Sequence, residues 1–316
     1  MRTVCQCISP HLVANANAVV EPKKKPISLR KRISHGVKFY DGGHMTLSFE
    51  EAETALTEHP ELAPYVRRLL DARQMLYERK ETYCLFLNGY PESILSIPLV
   101  AERLRRRDVF LRSSGADCAK DFMERLKANP QCQMFYVYPE AEQYIAIPAT
   151  MTDRRAHIPM IFVDSAIVIN ASMYVVLNGD EADFAVLSSK MHMLWVKAVA
   201  GRIEHNLRYS PAPVYNTFPW PPLTSESSRM LSEFGQQLLE ARKQDGRCLA
   251  KQYDPDRMPE ALRDVHSRID SFIERLYCPD GFRTDADRLS CLLRMYANAV
   301  SEKSLADGQK TVDAFC

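Results

Sequence analysis

Apolar residues recur at intervals of three and four along several stretches of the chain, which is the spacing of one helix face. The stretch that begins at Ser48 is a clear case, because serine caps helices and Glu50 and Glu51 follow where carboxylates stabilise the helix dipole. The same kind of pattern predicts further helices over residues 64–74, 98–108, 187–205, 225–240, 260–277 and 286–302.

Short runs of β-branched and aromatic residues, separated by turn residues, indicate strands between positions 133 and 169 and at 82–89. Together these elements predict an α+β fold: a mixed-sheet domain over residues 41–222, followed by a small C-terminal helical domain over residues 223–316. A basic connecting arm over residues 1–40 precedes them, in which Pro22 and Pro26 argue against a long helix.

Composition limits the classes of function. The 41 Lys and Arg residues nearly balance the 40 Asp and Glu residues, so any nucleic-acid site must arise from local clusters of cations. The nine cysteines contain no Cys-x-x-Cys pair, which favours reduced thiols in an intracellular protein over a zinc site or a disulfide framework. No apolar run reaches the ~20 residues that span a bilayer. We therefore expect a cytoplasmic protein with no membrane partner.

Two clusters of cations could contact an anionic partner or simply be solvated. The arm contains one of them: Lys23, Lys24, Lys25, Arg30, Lys31 and Arg32. The predicted helix at 98–108 contains the other, with four arginines within five positions. Because four such side chains cannot share one narrow face, some of them should remain available to phosphates, and Arg105 and Arg106 are the candidates.

The stretch 187–222 combines a helix pattern with dense basic and aromatic chemistry, and it then becomes rich in proline. Its ordinary structural interpretation is a core helix with a solvated basic edge. Its functional interpretation is a surface that contacts DNA backbone or grooves through Lys190, Lys197, Arg202, Arg208 and Tyr209.

The polar loop at 151–157 lies between two predicted strands. An exposed hairpin connection with an internal ion pair is the ordinary interpretation. Alternatively, Asp153 and Arg155, two positions apart on an extended strand, would point the same way. An aspartate can accept from cytosine and an arginine can donate twice to guanine, so the two could read one C·G pair.

The strings SSKMHMLWVKAVAGR, LRYS and VYNTFPWP at 188–221 resemble the end of the target-recognition domain in the MmeI-like family of restriction–modification DNA methyltransferases, a type IIG or IIL group. This family has a Ser-Glu-x-Arg type sequence whose acid and arginine contact a base pair. By position, Asp153 and Arg155 take these two places, with Thr152 in place of the serine, and His157 occupies another position that faces bases. The resemblance extends through the C-terminal helical domain.

The resemblance implies sequence-specific recognition of duplex DNA for an adenine-specific DNA methyltransferase or restriction–modification enzyme. The chain has neither a Gly-rich loop for S-adenosylmethionine nor an Asn-Pro-Pro-Tyr or Asp-Pro-Pro-Tyr sequence. We therefore expect it to be inactive alone and to hold no cofactor, with S-adenosylmethionine, and Mg²⁺ for the family's metal-dependent nuclease, belonging to missing catalytic domains. A separate methyltransferase chain could be its partner.

Two other classes of function remain open. In the first, the chain is a truncated remnant that binds a protein partner through its aromatic and arginine surfaces and no longer reads DNA. In the second, it is an enzyme in its own right, although the sequence contains no evident nucleophile–base pair or metal cluster. His266 on the helix at 260–277 is interpreted as a packed residue rather than a metal ligand, because no second ligand has a suitable spacing.

Overall fold

The structure is a computed structural model, which describes residues 18–28, 30–87, 89–130 and 133–313, the last twelve of these by backbone alone. The chain divides into two compact units. Within the described residues, the first combines 18–33, 147–160 and 178–313, and the second combines 34–146 and 161–177. Each unit combines segments that are distant in sequence, so the domain boundaries predicted at residues 40 and 222 stay a prediction.

The helices are α1 Phe49–Glu58, α2 Ala72–Tyr77, α3 Pro98–Ser113, α4 Asp117–Ala128, α5 Glu181–Leu187, α6 Lys190–Val199, α7 Ser225–Asp245, α8 Leu249–Gln252, α9 Glu260–Tyr277 and α10 Asp285–Asp313. The strands are β1 Ile33–His35, β2 Thr46–Ser48, β3 Val66–Leu70, β4 Thr82–Leu85, β5 Gln143–Pro148, β6 Thr150–Thr152, β7 Ile161–Asp164, β8 Val168–Ile169, β9 Met173–Leu177, β10 Gly201–Ile203 and β11 Asn206–Arg208. The α+β class predicted from the sequence is confirmed.

The second unit is built around two four-stranded sheets, with strand orders β1-β9-β5-β7 and β2-β4-β3-β8. The second sheet is mixed, because β3 pairs with β4 antiparallel and with β8 parallel. The helix predicted from Ser48 is confirmed: the Ser48 side chain accepts from the backbone N–H of Glu51, and the Glu51 carboxylate accepts from that of Ser48. This reciprocal pair is a capping box.

Two elements predicted for this unit are wrong. The helix expected at 64–74 is instead strand β3 followed by the short helix α2, which Asp71 caps. Strand pairing on both sides of β3 overrides the local helical spacing. Residues 133–139 form no strand, and the residues described there make a single bridge between Tyr136 and Lys38.

The helices α5, α7 and α9 pack together in the first unit. Leu262, Ile269 and Ile273 form the buried stripe of α9, as its apolar spacing predicts. Gly235 lets α7 approach α5 closely, since a Cβ at this position would clash with the backbone carbonyl of Glu181. α6 is anchored by Trp195, whose indole N–H lies 3.2 Å from both the Val214 carbonyl and the Thr217 hydroxyl.

The helix predicted over 187–205 is wrong in its bounds, and this correction positions the candidate site. α5 ends at Leu187, Ser189 caps α6, and α6 ends at Val199. Residues 201–208 then form the antiparallel hairpin β10–β11, and β11 pairs with β6. The strand partner supplied by β6 explains why the chain leaves the helix here.

Across the described part of the chain, every helix is either too short or too polar to cross a lipid bilayer.

Candidate nucleic-acid interface

A three-stranded antiparallel sheet, with strand order β10-β11-β6, forms the framework of the candidate interface within the first unit. Leu207 faces Met151 across the β11–β6 pair, and both side chains are buried. The neighbouring pair, Arg208 and Thr150, is exposed, as strand alternation requires. The sheet therefore has one packed face and one face that presents polar side chains.

The turn between β10 and β11 consists of Glu204 and His205, both exposed. Glu204 has a φ of 53°, in the left-handed region that non-glycine residues rarely adopt. The usual hairpin signal of Asn-Gly or Asp-Gly is missing here, which explains why the sequence pattern did not reveal the hairpin.

The geometry assumed for the 151–157 loop is wrong. β6 ends at Thr152, and Asp153 and Arg154 form a turn, so Asp153 and Arg155 do not alternate along an extended strand. Arg155 is only 9% exposed, whereas the Arg154 side chain is 69% exposed. The turn thus presents Arg154, an arginine that the sequence pattern did not single out.

Two ion pairs join this turn to neighbouring segments. The Asp153 carboxylate accepts from Arg202 of β10 over 3.0 Å, and both side chains remain about half exposed. Arg154 donates to Asp256 over 3.1 Å, and this pair is more exposed. Exposed pairs contribute little to stability, under about 1 kcal/mol, so a phosphate or a base edge can replace either partner at small cost.

His157 lies beneath the turn instead of facing outward. It is 8% exposed, and its Nε2 lies 2.9 Å from a carboxylate oxygen of Asp270 in α9. Its ring stacks on that of His266 with 3.9 Å between centroids. His266 is itself buried, as its interpretation as a packed residue requires.

The candidates in and after α6 occupy different environments. Lys190 is half exposed and pairs with Asp285 over 2.9 Å, and Lys197 is partly exposed in the last turn of α6. Arg208 is exposed. Tyr209, expected at the surface, is fully buried, and its hydroxyl lies 3.1 Å from Nε2 of His192. Burial lowers the pKa of His192 to about 3, so this is a neutral core pair.

Helix α3, in the second unit, contains five arginines, of which two are largely buried and three are exposed. Arg103 donates to the backbone carbonyls of His44 and Thr46 and is largely buried, and Arg107 is buried beside Gln133.

The exposed pair, Arg105 and Arg106, shares the single carboxylate of Glu102. These hydrogen bonds and charges lower the pKa of Glu102 to about 2. As predicted, Arg105 and Arg106 are exposed, and so is Arg112 in the last turn of α3.

The described part of the basic arm lies against the proline-rich segment that follows β11. The backbone N–H of Lys23 donates to the Ala212 carbonyl over 2.9 Å, and the Tyr215 hydroxyl donates to the Lys31 carbonyl over 2.9 Å. The Arg30 guanidinium lies 5.0 Å from the ring centroid of Trp220, a cation–π contact. Residues 1–17 of the arm lie outside the described residues.

No group of three or more His, Cys, Asp or Glu side chains that could hold a metal ion occurs among the described residues.

The described fold combines mixed sheets with helices, and the described residues from 225 onwards form only helices and connecting turns. Residues 14–222 match the model of the MmeI target recognition domain, and residues 226–303 match that of the MmeI C-terminal domain. The chain belongs to the MmeI family.

Two relatives show how much of a family protein the chain represents. It is 31% identical over 290 residues to DNA methyltransferase A of Bacillus subtilis strain 168, covering 92% of this chain and 32% of that protein. It also matches the structure of the Type IIL restriction–modification enzyme MmeI in complex with DNA, with a TM-score of 0.84 and 29% identity. That match covers 94% of this chain and 39% of the other. The chain thus spans about a third of the length of its curated relative.

Sequence reasoning missed three acidic partners, Asp256, Asp270 and Asp285, each of which contacts a basic residue of the candidate interface. All three come from the C-terminal helical region. Their sequence separation from their partners, 113 residues for His157 and Asp270, leaves no local signal. Covariation among relatives is the kind of signal that would reveal such pairs.

Proposed function

We propose that this chain reads a duplex DNA sequence as the target-recognition part of an adenine-specific DNA methyltransferase or restriction–modification enzyme. One observation carries the proposal. Three exposed arginines lie in or beside one small sheet, Arg154 in the turn after β6, Arg202 on β10 and Arg208 on β11, inside the residues that match the MmeI target recognition domain. The MmeI structure that this chain resembles is a complex with DNA.

The hairpin has a suitable shape for this role, because the major groove of B-DNA admits a two-stranded β-ribbon. Exposed arginines can contact phosphates or donate twice to a guanine edge. The carboxylate of Asp153 has about four lone-pair sites, so it can accept from a cytosine amino group while Arg202 still donates to it. We assign backbone contacts to Lys197 and Arg208, and base contact to Asp153.

Methyl transfer itself is proposed to depend on catalytic domains outside these 316 residues, either in a longer protein or in a separate chain. S-adenosylmethionine, and Mg²⁺ if nuclease activity is present, would be bound there. Incubation of the pure chain with labelled S-adenosylmethionine and DNA should leave the DNA unmethylated. Methyl transfer by the pure chain would overturn this division of roles.

The central experiment is selection of binding sites from a pool of random duplexes by the full chain. One short sequence should be enriched. The affinity for that site should fall steeply with salt, because each phosphate contact contributes roughly 0.9 to the logarithmic slope. Enrichment of no sequence, together with absent binding at low salt, would favour the alternative of a protein-interaction module.

A matched pair of variants locates the interface. Arg202→Gln with Arg208→Gln should lower the affinity and reduce the salt slope by roughly 0.9 for each phosphate that the arginines no longer neutralise. Arg229→Gln with Lys243→Gln removes the same charge from exposed positions on α7, outside the proposed interface. If both double variants weaken binding equally, the hairpin is not the surface that binds DNA.

A further inference from the structure

A buried polar cluster lies directly beneath the 153–157 turn and connects it to the C-terminal helices. His157 at the end of the turn contacts Asp270 and His266 of α9. Burying polar groups costs free energy unless they form hydrogen bonds. A cluster of this kind therefore fixes the geometry of the segments that meet in it.

Asp270 is the member that joins two separate parts of the candidate interface. One carboxylate oxygen accepts from His157 Nε2 over 2.9 Å, and the other accepts from the backbone N–H of Lys190 over 2.6 Å. His157 and Asp270 are only 10% and 15% exposed in their side chains. One carboxylate thus holds both the turn and the first residue of α6.

The face of the His157 ring also contacts a second group of hydrogen-bonded side chains. The His266 ring, on which it stacks, has its Nε2 3.0 Å from the Tyr253 hydroxyl. That hydroxyl accepts from Arg242, whose guanidinium also donates to the Met160 carbonyl over 2.6 Å. The chain is therefore fixed at both ends of the segment 157–160.

We propose that Asp270 is a positioning residue for sequence readout, through which helix α9 sets the place of the 153–157 turn relative to α6. The inference rests on the proposed DNA reading and goes beyond it, because it gives the C-terminal helical region a part in specificity. Both carboxylate oxygens of Asp270 are already bonded within the chain, to His157 and to the backbone N–H of Lys190. It acts through His157 and the start of α6, and these place Asp153 and Arg154.

The test measures the ratio between the affinity of the full chain for its selected site and that for a scrambled duplex. Asp270→Asn should lower this ratio at least tenfold and change the affinity for the scrambled duplex by less than threefold. Loss of the carboxylate releases the turn but leaves the exposed arginines in place. Asp264→Asn, an exposed change of equal charge on the same helix, should keep the parental ratio.

A second pair of variants decides the matter if Asp270→Asn does not fold. The amide nitrogen of a glutamine at 157 can occupy the place of Nε2 and donate to Asp270, whereas a phenylalanine cannot. His157→Phe should therefore lower the ratio, and His157→Gln should restore most of it. A purely structural role would not distinguish the specific affinity from the non-specific one.

Two results would overturn the inference. One is a parental ratio in a folded Asp270→Asn or His157→Phe variant. The other is an equal loss of the ratio in His157→Gln and His157→Phe. A parent chain that selects no sequence at all is a different result, since it would overturn the proposed function and, with it, this inference.

Discussion

Arg202 in β10 donates to the carboxylate of Asp153 over 3.0 Å, which connects the β10–β11 hairpin to the turn that follows β6. The two residues are 49 positions apart in the chain. Arg202 lies on the edge strand β10 and Asp153 in the turn after the opposite edge strand β6, and both side chains are about half exposed, so an acceptor and a donor are offered side by side. A C·G pair presents the complementary arrangement in the major groove, a cytosine donor beside guanine acceptors.

Exchanging these two charges should change the sequence preference. Asp153→Arg with Arg202→Asp keeps the net charge and the ion pair but reverses the order of donor and acceptor. We expect the preference at one position of the selected site to change from C·G to G·C, with the other positions unaffected. A base contact is worth about 1–3 kcal/mol, or roughly tenfold to a hundredfold in affinity, which selection from random duplexes detects.

The control for this exchange is the ion pair between Arg229 and Glu233 on α7, which is also exposed. Arg229→Glu with Glu233→Arg should leave the selected site unchanged. The free energy of unfolding of both double variants should lie within about 1 kcal/mol of that of the parent, because exposed ion pairs contribute little to stability. If the Asp153 exchange selects the parental site, neither residue touches a base.

Replacing Tyr209 should change the stability of the chain, whereas replacing its neighbour Arg208 should change its DNA binding. Tyr209→Phe removes a buried hydroxyl from Nε2 of His192, and we expect it to lower the free energy of unfolding by about 1–3 kcal/mol. The salt slope of DNA binding should stay parental. Arg208→Gln should leave stability nearly unchanged and reduce the slope by roughly 0.9. Urea unfolding and affinity titrations at several salt concentrations measure both quantities, and a reduced slope in Tyr209→Phe would place that ring at the DNA surface after all.

The elements predicted well from the sequence are those whose signals are local. Ser48 and Glu51 form the capping box at the start of α1, and the apolar stripe of α9 predicted its bounds at 260 and 277. A cap and a stripe are set by residues three or four apart, so neighbouring sequence contains the whole signal.

The parts that sequence did not predict depend on distant partners. β3 and the β10–β11 hairpin are strands because β4, β8 and β6 pair with them, and sheet pairing is decided by tertiary context. In the candidate site, the sequence indicated which residue types could contact DNA, but it did not indicate the surroundings of each side chain. Asp153 faces Arg202 instead of acting with Arg155, and His157 turns inward to Asp270, because residues from other segments complete each pair.

The close approach of α7 to α5 predicts a large effect of adding one methyl group. Gly235→Ala would bring a Cβ against the backbone carbonyl of Glu181, which cannot move away without shifting α5. We expect a loss of about 1–3 kcal/mol in the free energy of unfolding, although alanine normally stabilises a helix relative to glycine. Gly201→Ala, where a Cβ meets open space, is the matched control in the same unit and should change stability little. Equal stability of the two variants would contradict the close packing at Gly235.

Asp183, buried in the first turn of α5, should make stability depend on pH. Burial and the nearby charge of Asp180 together raise the pKa of its carboxyl from 3.8 to about 6, against the opposing effects of the backbone hydrogen bond from Asp180 and of Lys31. Between pH 3.8 and 6 the folded chain therefore binds more protons at this group than the unfolded chain does. Stability must fall as the pH rises through that window, by up to about 3 kcal/mol.

Replacing this carboxyl by an amide should remove the dependence. Asp183→Asn keeps an oxygen that can accept from the backbone N–H of Asp180, as the carboxylate does. We expect the variant to unfold at a higher temperature than the parent at about pH 8, above the window in which the buried carboxyl titrates, with the difference shrinking towards about pH 4. The exposed replacement Asp264→Asn should show no such trend. A gain of equal size at both pH values would mean that the charge of Asp183 is not what limits stability there.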